Sequence, residues 1–124
     1  MKITLLLFGM FWLANIANGA QFEELLYEET GDEITITGFA DTSNAISIII
    51  PDQIDSKPVT SIGDEAFYST DIPRAFLEEI ILPNSLVRIG SLSFANLGRL
   101  KVINIPASVT SIGEEAFNGC EVLE

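Results

Sequence analysis

Apolar side chains along this chain follow a pattern that returns on itself. In Leu77-Glu78-Glu79-Ile80-Ile81-Leu82-Pro83 and Leu100-Lys101-Val102-Ile103-Asn104-Ile105-Pro106, aliphatic residues alternate towards a proline, and Ala45-Ile46-Ser47-Ile48-Ile49-Ile50-Pro51 follows the same plan. A period of two predicts a short strand with one face turned inward. Proline ends it, having no N–H for a neighbouring ladder. A second extended piece follows each proline, closed by Ile-Gly, and Val59, Ile62, Leu86, Ile89, Val109 and Ile112 are its expected buried positions. Gly63, Gly90 and Gly113 are expected to allow a turn that a Cβ would oppose. Asp64-Glu65-Ala66-Phe67 and Glu114-Glu115-Ala116-Phe117 then predict a brief helical turn, its leading acids suited to the positive end of the peptide dipoles.

Pro83 and Pro106, Ile89 and Ile112, Gly90 and Gly113, and Phe94 and Phe117 each stand 23 residues apart. A period in the twenties means stacked units that bury their apolar faces only against one another. The predicted architecture is a repeat solenoid of short parallel strands and short helical turns, with Phe67, Phe94 and Phe117 stacked as an aromatic column. The coils are read as 45–76, 77–99 and 100–124. In the first, the Pro51-to-Gly63 interval is twelve residues, against seven in the other two. The extra residues fall within 52–58, and a second insertion falls within 68–76. Such insertions are expected to bulge from one face as loops.

Residues 21–44 read as an N-terminal cap hairpin. Phe22, Leu25 and Tyr27 precede the turn dipeptide Gly31-Asp32, after which Ile34 and Ile36 alternate with polar residues. Terminal repeats need such an atypical cover. Residues 1–20 carry a positive start at Lys2, an apolar run with Leu5, Leu6, Leu7, Phe8, Phe11, Trp12 and Leu13, and small residues at Ala17, Gly19 and Ala20. That is the layout of a secretory signal peptide, cleaved after Gly19 or Ala20. The rival, a spanning helix, needs about 20 apolar residues.

Charge then narrows the partners. With 18 acidic and six basic residues the net charge is −12, which repels nucleic acid and anionic lipid alike. The chain has no histidine, the usual general base and commonest metal ligand. The acidic pairs Glu23-Glu24, Glu28-Glu29 and Glu78-Glu79 do not read as catalytic dyads, because neighbours on a strand point to opposite faces, and Glu114-Glu115 has a simpler place at the start of its helical turn. Asp52, Asp55 and Asp64 match no calcium-loop spacing and read as solvated. No catalytic, cofactor or metal residues are assigned. Cys120, the lone cysteine, takes the slot of Leu97 and reads as a small buried hydrophobe rather than a reactive thiol. The candidate partner-binding face is the outward side of the first strand of each coil: Ser47, Ile49, Glu79, Ile81, Val102 and Asn104. Ile49 and Ile81 are apolar where a solvated face would be polar, which marks either a partner site or ordinary parallel strands.

Ile-Pro-x-Ser-Val-Thr-Ser-Ile-Gly-x-x-Ala-Phe-x-Gly-Cys-x-x-Leu, from Ile105 to Leu123, resembles the BspA-like leucine-rich repeat of exported surface proteins of bacteria and mucosal protists. Ile34-Thr35-Ile36-Thr37-Gly38-Phe39 and Lys57-Pro58-Val59-Thr60-Ser61-Ile62-Gly63 resemble that family's first coil. The resemblance implies a curved leucine-rich-repeat stack, adhesin-like binding of protein or glycan at a host or cell surface, no enzymatic chemistry and a secreted or cell-surface location. Only three coils are visible where members usually carry many, so the C-terminal end is expected to be open or truncated. Two expectations follow: edge-to-edge self-association there, or a chain that is the N-terminal fragment of a longer repeat protein with no ligand of its own.

Overall fold

A computed structural model describes residues 3–6, 24–40, 46–68 and 76–124. The chain opens with strand β1 (Ile3–Leu6), which lies antiparallel along β2 (Glu24–Thr30). Of the segment expected to be a leader, residues 1–2 and 7–20 lie outside the described residues, as does the cap residue Phe22. β2 and β3 (Glu33–Ala40) form the cap hairpin, joined by Gly31-Asp32 with Thr30 opposite Glu33. Gly31 has φ 62° and Asp32 is not left-handed, so the glycine stands first in the turn, as a type II′ hairpin requires.

Each coil then contributes one strand to each of two sheets. β4 (Ser47–Ile49), β7 (Glu79–Ile81) and β9 (Val102–Asn104) form a three-stranded parallel sheet. On the other side β6 (Lys57–Ile62), β8 (Arg88–Ile89) and β10 (Ser111–Ile112) run parallel in that order, and β3 of the cap pairs parallel with β6. The hairpin thus supplies the strand that a preceding coil would supply. Its Ile34 and Ile36 lie opposite Val59 and Ile62, and all four are fully buried.

Between the sheets runs the aromatic column. Phe67, Phe94 and Phe117 stack at centroid distances of 5.3 and 5.4 Å with rings 12° and 11° from parallel, and Phe39 of the cap adds a fourth ring 5.4 Å from Phe67. Such pairs contribute about 0.5–1.5 kcal/mol each beyond the area they bury.

The segments after each glycine are successive tight turns rather than helix. Glu65, Leu92 and Glu115 have φ of 57°, 54° and 53°, which a right-handed helix does not admit. The physical reason is a third ladder between coils. With that residue left-handed, alternate N–H groups face the next coil: Glu65 N–H donates to Ser91 O (2.9 Å), Phe67 to Ser93 O (2.7 Å) and Phe94 to Ala116 O (2.9 Å). The acids at 65 and 115 therefore serve no helix dipole.

Gly63, Gly90 and Gly113 also differ from expectation. None has positive φ; they are small because coils touch there. A Cβ on Gly90 would stand 2.6 Å from Asp64 N and from Gly63 C, and one on Gly113 would strike Ser91 N.

The first insertion is a hairpin and not a loop. β5 (Gln53–Ile54) pairs antiparallel with the start of β6 through Asp55-Ser56, both left-handed (φ 50° and 65°), as a type I′ turn needs. Tyr27 Oη–H donates to Asp55 Oδ2 (3.4 Å), and Lys57 Nζ bonds Glu29 Oε2 (3.0 Å), tying this hairpin to the cap. Of the second insertion, residues 69–75 lie outside the described residues.

Candidate functional site

Strand alternation sends Ile48, Ile80 and Ile103 inward and the six candidate residues outward. Parallel registry then aligns them: Ser47, Glu79 and Val102 form one row across β4, β7 and β9, and Ile49, Ile81 and Asn104 the next. The structure brings all six into one grid.

The grid is not uniformly available. Ser47 Oγ–H donates to Glu79 Oε2 at 3.1 Å, so those two polar groups face each other. Asn104 turns its amide back onto the sheet: its Oδ1 accepts from Leu82 N–H (3.0 Å) and its Nδ2 donates to Leu82 O (3.3 Å). In the coil before, a backbone bond from Ile50 N–H to Ile81 O does that work. The aliphatic members of the grid are Ile49, half-buried, Ile81, 38 % exposed, and Val102, 54 % exposed, and they share the surface with the exposed Asn104 and the half-buried Ser47 and Glu79.

Two neighbours escaped the sequence reasoning. Ile46, 61 % exposed, stands at the place that Glu78 and Lys101 hold in later coils, an apolar residue at the head of an otherwise charged row. The signal was there: an isoleucine aligned with charged residues. Glu78 and Lys101 pair at 2.8 Å, and this bond holds the Glu78 carboxyl below the usual carboxylate range. Arg99 Cζ lies 5.5 Å from the centre of the Phe76 ring, a cation–π contact at the rim.

The remaining candidates are structural. Asp52 Oδ1 accepts from Asn84 N–H (3.0 Å), and Asp64 Oδ1 accepts from Ser91 N–H (2.9 Å) and Arg88 Nη2 (3.2 Å). Each aspartate thus clips one coil to the next. Among the described residues no acidic, cysteine or histidine cluster could hold a metal ion, and no helix is long and apolar enough to cross a membrane. Cys120 is half-buried, against full burial for Leu97, and its Sγ lies 3.1 Å from Phe94 O. Burial raises its thiol pKa, opposed by a backbone bond from Leu97.

Stacked coils with two parallel strand columns around an inward phenylalanine file define a leucine-rich repeat solenoid. Residues 17–124 match the BspA type leucine-rich repeat region (6 copies), and the chain belongs to that family. Among solved structures it is similar to the T. pallidum leucine-rich repeat protein TpLRR (31 % identity over 78 % of this chain and 44 % of that one, TM-score 0.70). It is also similar to a leucine-rich cell surface protein of Faecalibacterium prausnitzii A2-165 (30 %, 86 % and 28 %, 0.68). A leucine-rich repeat protein of Bacteroides ovatus ATCC 8483 matches likewise (30 %, 82 % and 27 %, 0.70). The chain spans less than half the length of each of these three relatives. No curated protein matches it.

Proposed function

We propose that the chain is an exported, non-enzymatic leucine-rich repeat module that binds protein or glycan at a host or cell surface through the outer face of β4, β7 and β9. The observation that carries this reading is the aliphatic group on that face: Ile49 and Ile81 opposite each other across β4 and β7, with Val102 in the adjoining row of β9, exposed on the two later strands. Exposed aliphatic residues gathered on one rigid face mark interaction sites. A relative of the same fold is named a cell surface protein, and the family match begins at residue 17, past most of the apolar run; both support residues 1–20 as a secretory leader, whose removal takes β1 away from β2. Sequencing the N-terminus of the exported protein should return a start at Ala20 or Gln21.

Arrays of extracellular proteins and of glycans, probed with the wild type and with the double variant Glu79→Ala, Ile81→Ser, test the face. Both side chains stand at the surface, so the variant should fold and lose capture. Capture that survives the double substitution rejects the face.

A second reading has its own support. The last coil leaves Ile105, Ile112 and Val122 exposed, as a segment that starts a longer solenoid would. In that reading the chain initiates a stack and binds nothing itself, and wild type and variant would both stay silent on the arrays.

A further inference from the structure

β2 stands one strand in from the end of its sheet, and the strand outside it comes from the leader. Ile3, Thr4, Leu5 and Leu6 of β1 register antiparallel with Glu28, Tyr27, Leu26 and Leu25. On its other side β2 is paired irregularly, since the register against β3 shifts between Leu26 and Tyr27. The ladder to β1 crosses the same two residues without a shift. The outer edge of β2 is thus a regular template for a strand, and removal of residues 1–20 leaves it at the end of the sheet.

Edge strands are commonly guarded by being short, or by carrying lysine or proline. β4 and β5 have three and two residues, whereas β2 has seven, Glu-Leu-Leu-Tyr-Glu-Glu-Thr, with neither lysine nor proline. The strand is held from its inner side: Leu25 and Tyr27 are buried, Tyr27 bonds Asp55, and Glu29 pairs with Lys57. Binding there has little ordering left to do. Leu26 and Glu28 alternate with these residues and are half-buried. Among the described residues no basic group pairs with Glu28.

We propose that the outer edge of β2 is a strand-acceptor site of the exported protein. It takes an extended peptide segment antiparallel to β2, aliphatic opposite Leu26 and basic opposite Glu28. β1 displays the first of these, with Leu5 opposite Leu26. The Glu28 carboxylate sets the second, because opposite charges facing each other across a strand pair attract. Backbone hydrogen bonds give the affinity, and the two side-chain positions give the choice of sequence. A second copy of β2 is a poorer occupant, since it would bring acidic strand against acidic strand. The site rests on residues 1–20 being removed on export, as proposed for the leader.

A labelled peptide of the sequence Lys2 to Leu7, titrated by fluorescence polarisation, is the probe. The exported chain should bind it. The full chain that still carries residues 1–20 should not, because β1 already holds the edge. Proline at both Thr4 and Leu5 of the peptide removes two adjacent N–H groups, one of which must face β2, and should weaken binding about tenfold or more. Charge tests the register: Ile3→Lys in the peptide should tighten binding about two- to fivefold and Ile3→Glu should weaken it. On the chain variant Glu28→Lys, its fold checked by circular dichroism, the order of those two peptides should reverse. No binding to the exported chain, equal binding to the full chain, indifference to the proline pair, or an order that does not reverse would each overturn the site. N-terminal sequencing that finds residues 1–20 still attached to the exported protein defeats the leader reading and overturns the site with it. Glu28 lies outside the face of β4, β7 and β9, so Glu28→Lys should leave array capture unchanged; loss of capture and loss of peptide binding are separate results.

Discussion

Ile62 and Ile112 hold the same place in their coils, yet the first is fully buried and the second is 51 % exposed. Ile62 has β3 of the cap on one side and β8 on the other, whereas Ile112 has β8 alone. Phe67 and Phe117 repeat the contrast: among the described residues Phe67 lies between the rings of Phe39 and Phe94, and Phe117 against that of Phe94. The two ends teach that a coil of this repeat has no core of its own. Its apolar residues are dry only when a neighbour lies on each side, and the neighbour need not be a coil. A two-stranded hairpin suffices if it presents a parallel strand, inward isoleucines and one ring.

That contrast can be broken most directly at the aromatic file. Phe94→Ala should cost about 3–5 kcal/mol, the range for a fully packed phenylalanine, and Phe117→Ala about 1–2 kcal/mol, since Phe117 is half-buried where Phe94 is fully buried. Urea unfolding of both variants measures the difference; equal costs would mean that the tail is as covered as the middle. Gly90→Ala comes next. Its methyl would collide with the backbone of the first coil and should destabilise by about 1–3 kcal/mol, while Gly98→Ala, with no atom of the described residues within 4 Å of the added carbon, should pass nearly unnoticed. Thermal melts of the two separate seam contact from loss of glycine freedom.

Ser93 sharpens the comparison from inside. It is fully buried and its hydroxyl has no hydrogen-bond partner among the described residues, whereas Ala66 and Ala116 hold the same slot before Phe67 and Phe117. Ser93→Ala should raise stability by about 1 kcal/mol, because it removes a desolvated polar group and keeps the shape. A loss of stability on denaturant titration would point to a bond that this hydroxyl needs. The smallest effect is electrostatic. Lys101 holds the folded-state pKa of Glu78 below its unfolded value, so the pair's contribution is complete above the ordinary carboxylate range and drains away as pH falls through the folded value. Acid unfolding followed by circular dichroism should show a slightly shallower limb for Glu78→Gln; an identical limb would mean that the pair, open to solvent, contributes nothing.

Much of this was legible from residue spacing. Constant offsets among Pro, Ile, Gly and Phe predicted the stack and the ring file, and alternation placed Ser47, Ile49, Glu79, Ile81, Val102 and Asn104 on one outward face. Three features were not legible. The residues at 65, 92 and 115 differ in type (Glu, Leu, Glu), so nothing in their chemistry announces a left-handed backbone; the ladder to the next coil imposes it. Asp55-Ser56 is a weak hairpin signal, and its I′ turn is held by the cap beside it. The reversal of Asn104 onto Leu82 depends on where the next strand ends, which spacing along one coil does not contain.

Amino-acid order alone determined the repeat length, the strands and their inward residues, because those depend on periodicity within one coil. Tertiary structure decided which of those residues are dry, why the glycines are glycines and which outward side chains are free. Each of these is a relation between coils, and a contact across a seam is recorded in neither strand by itself.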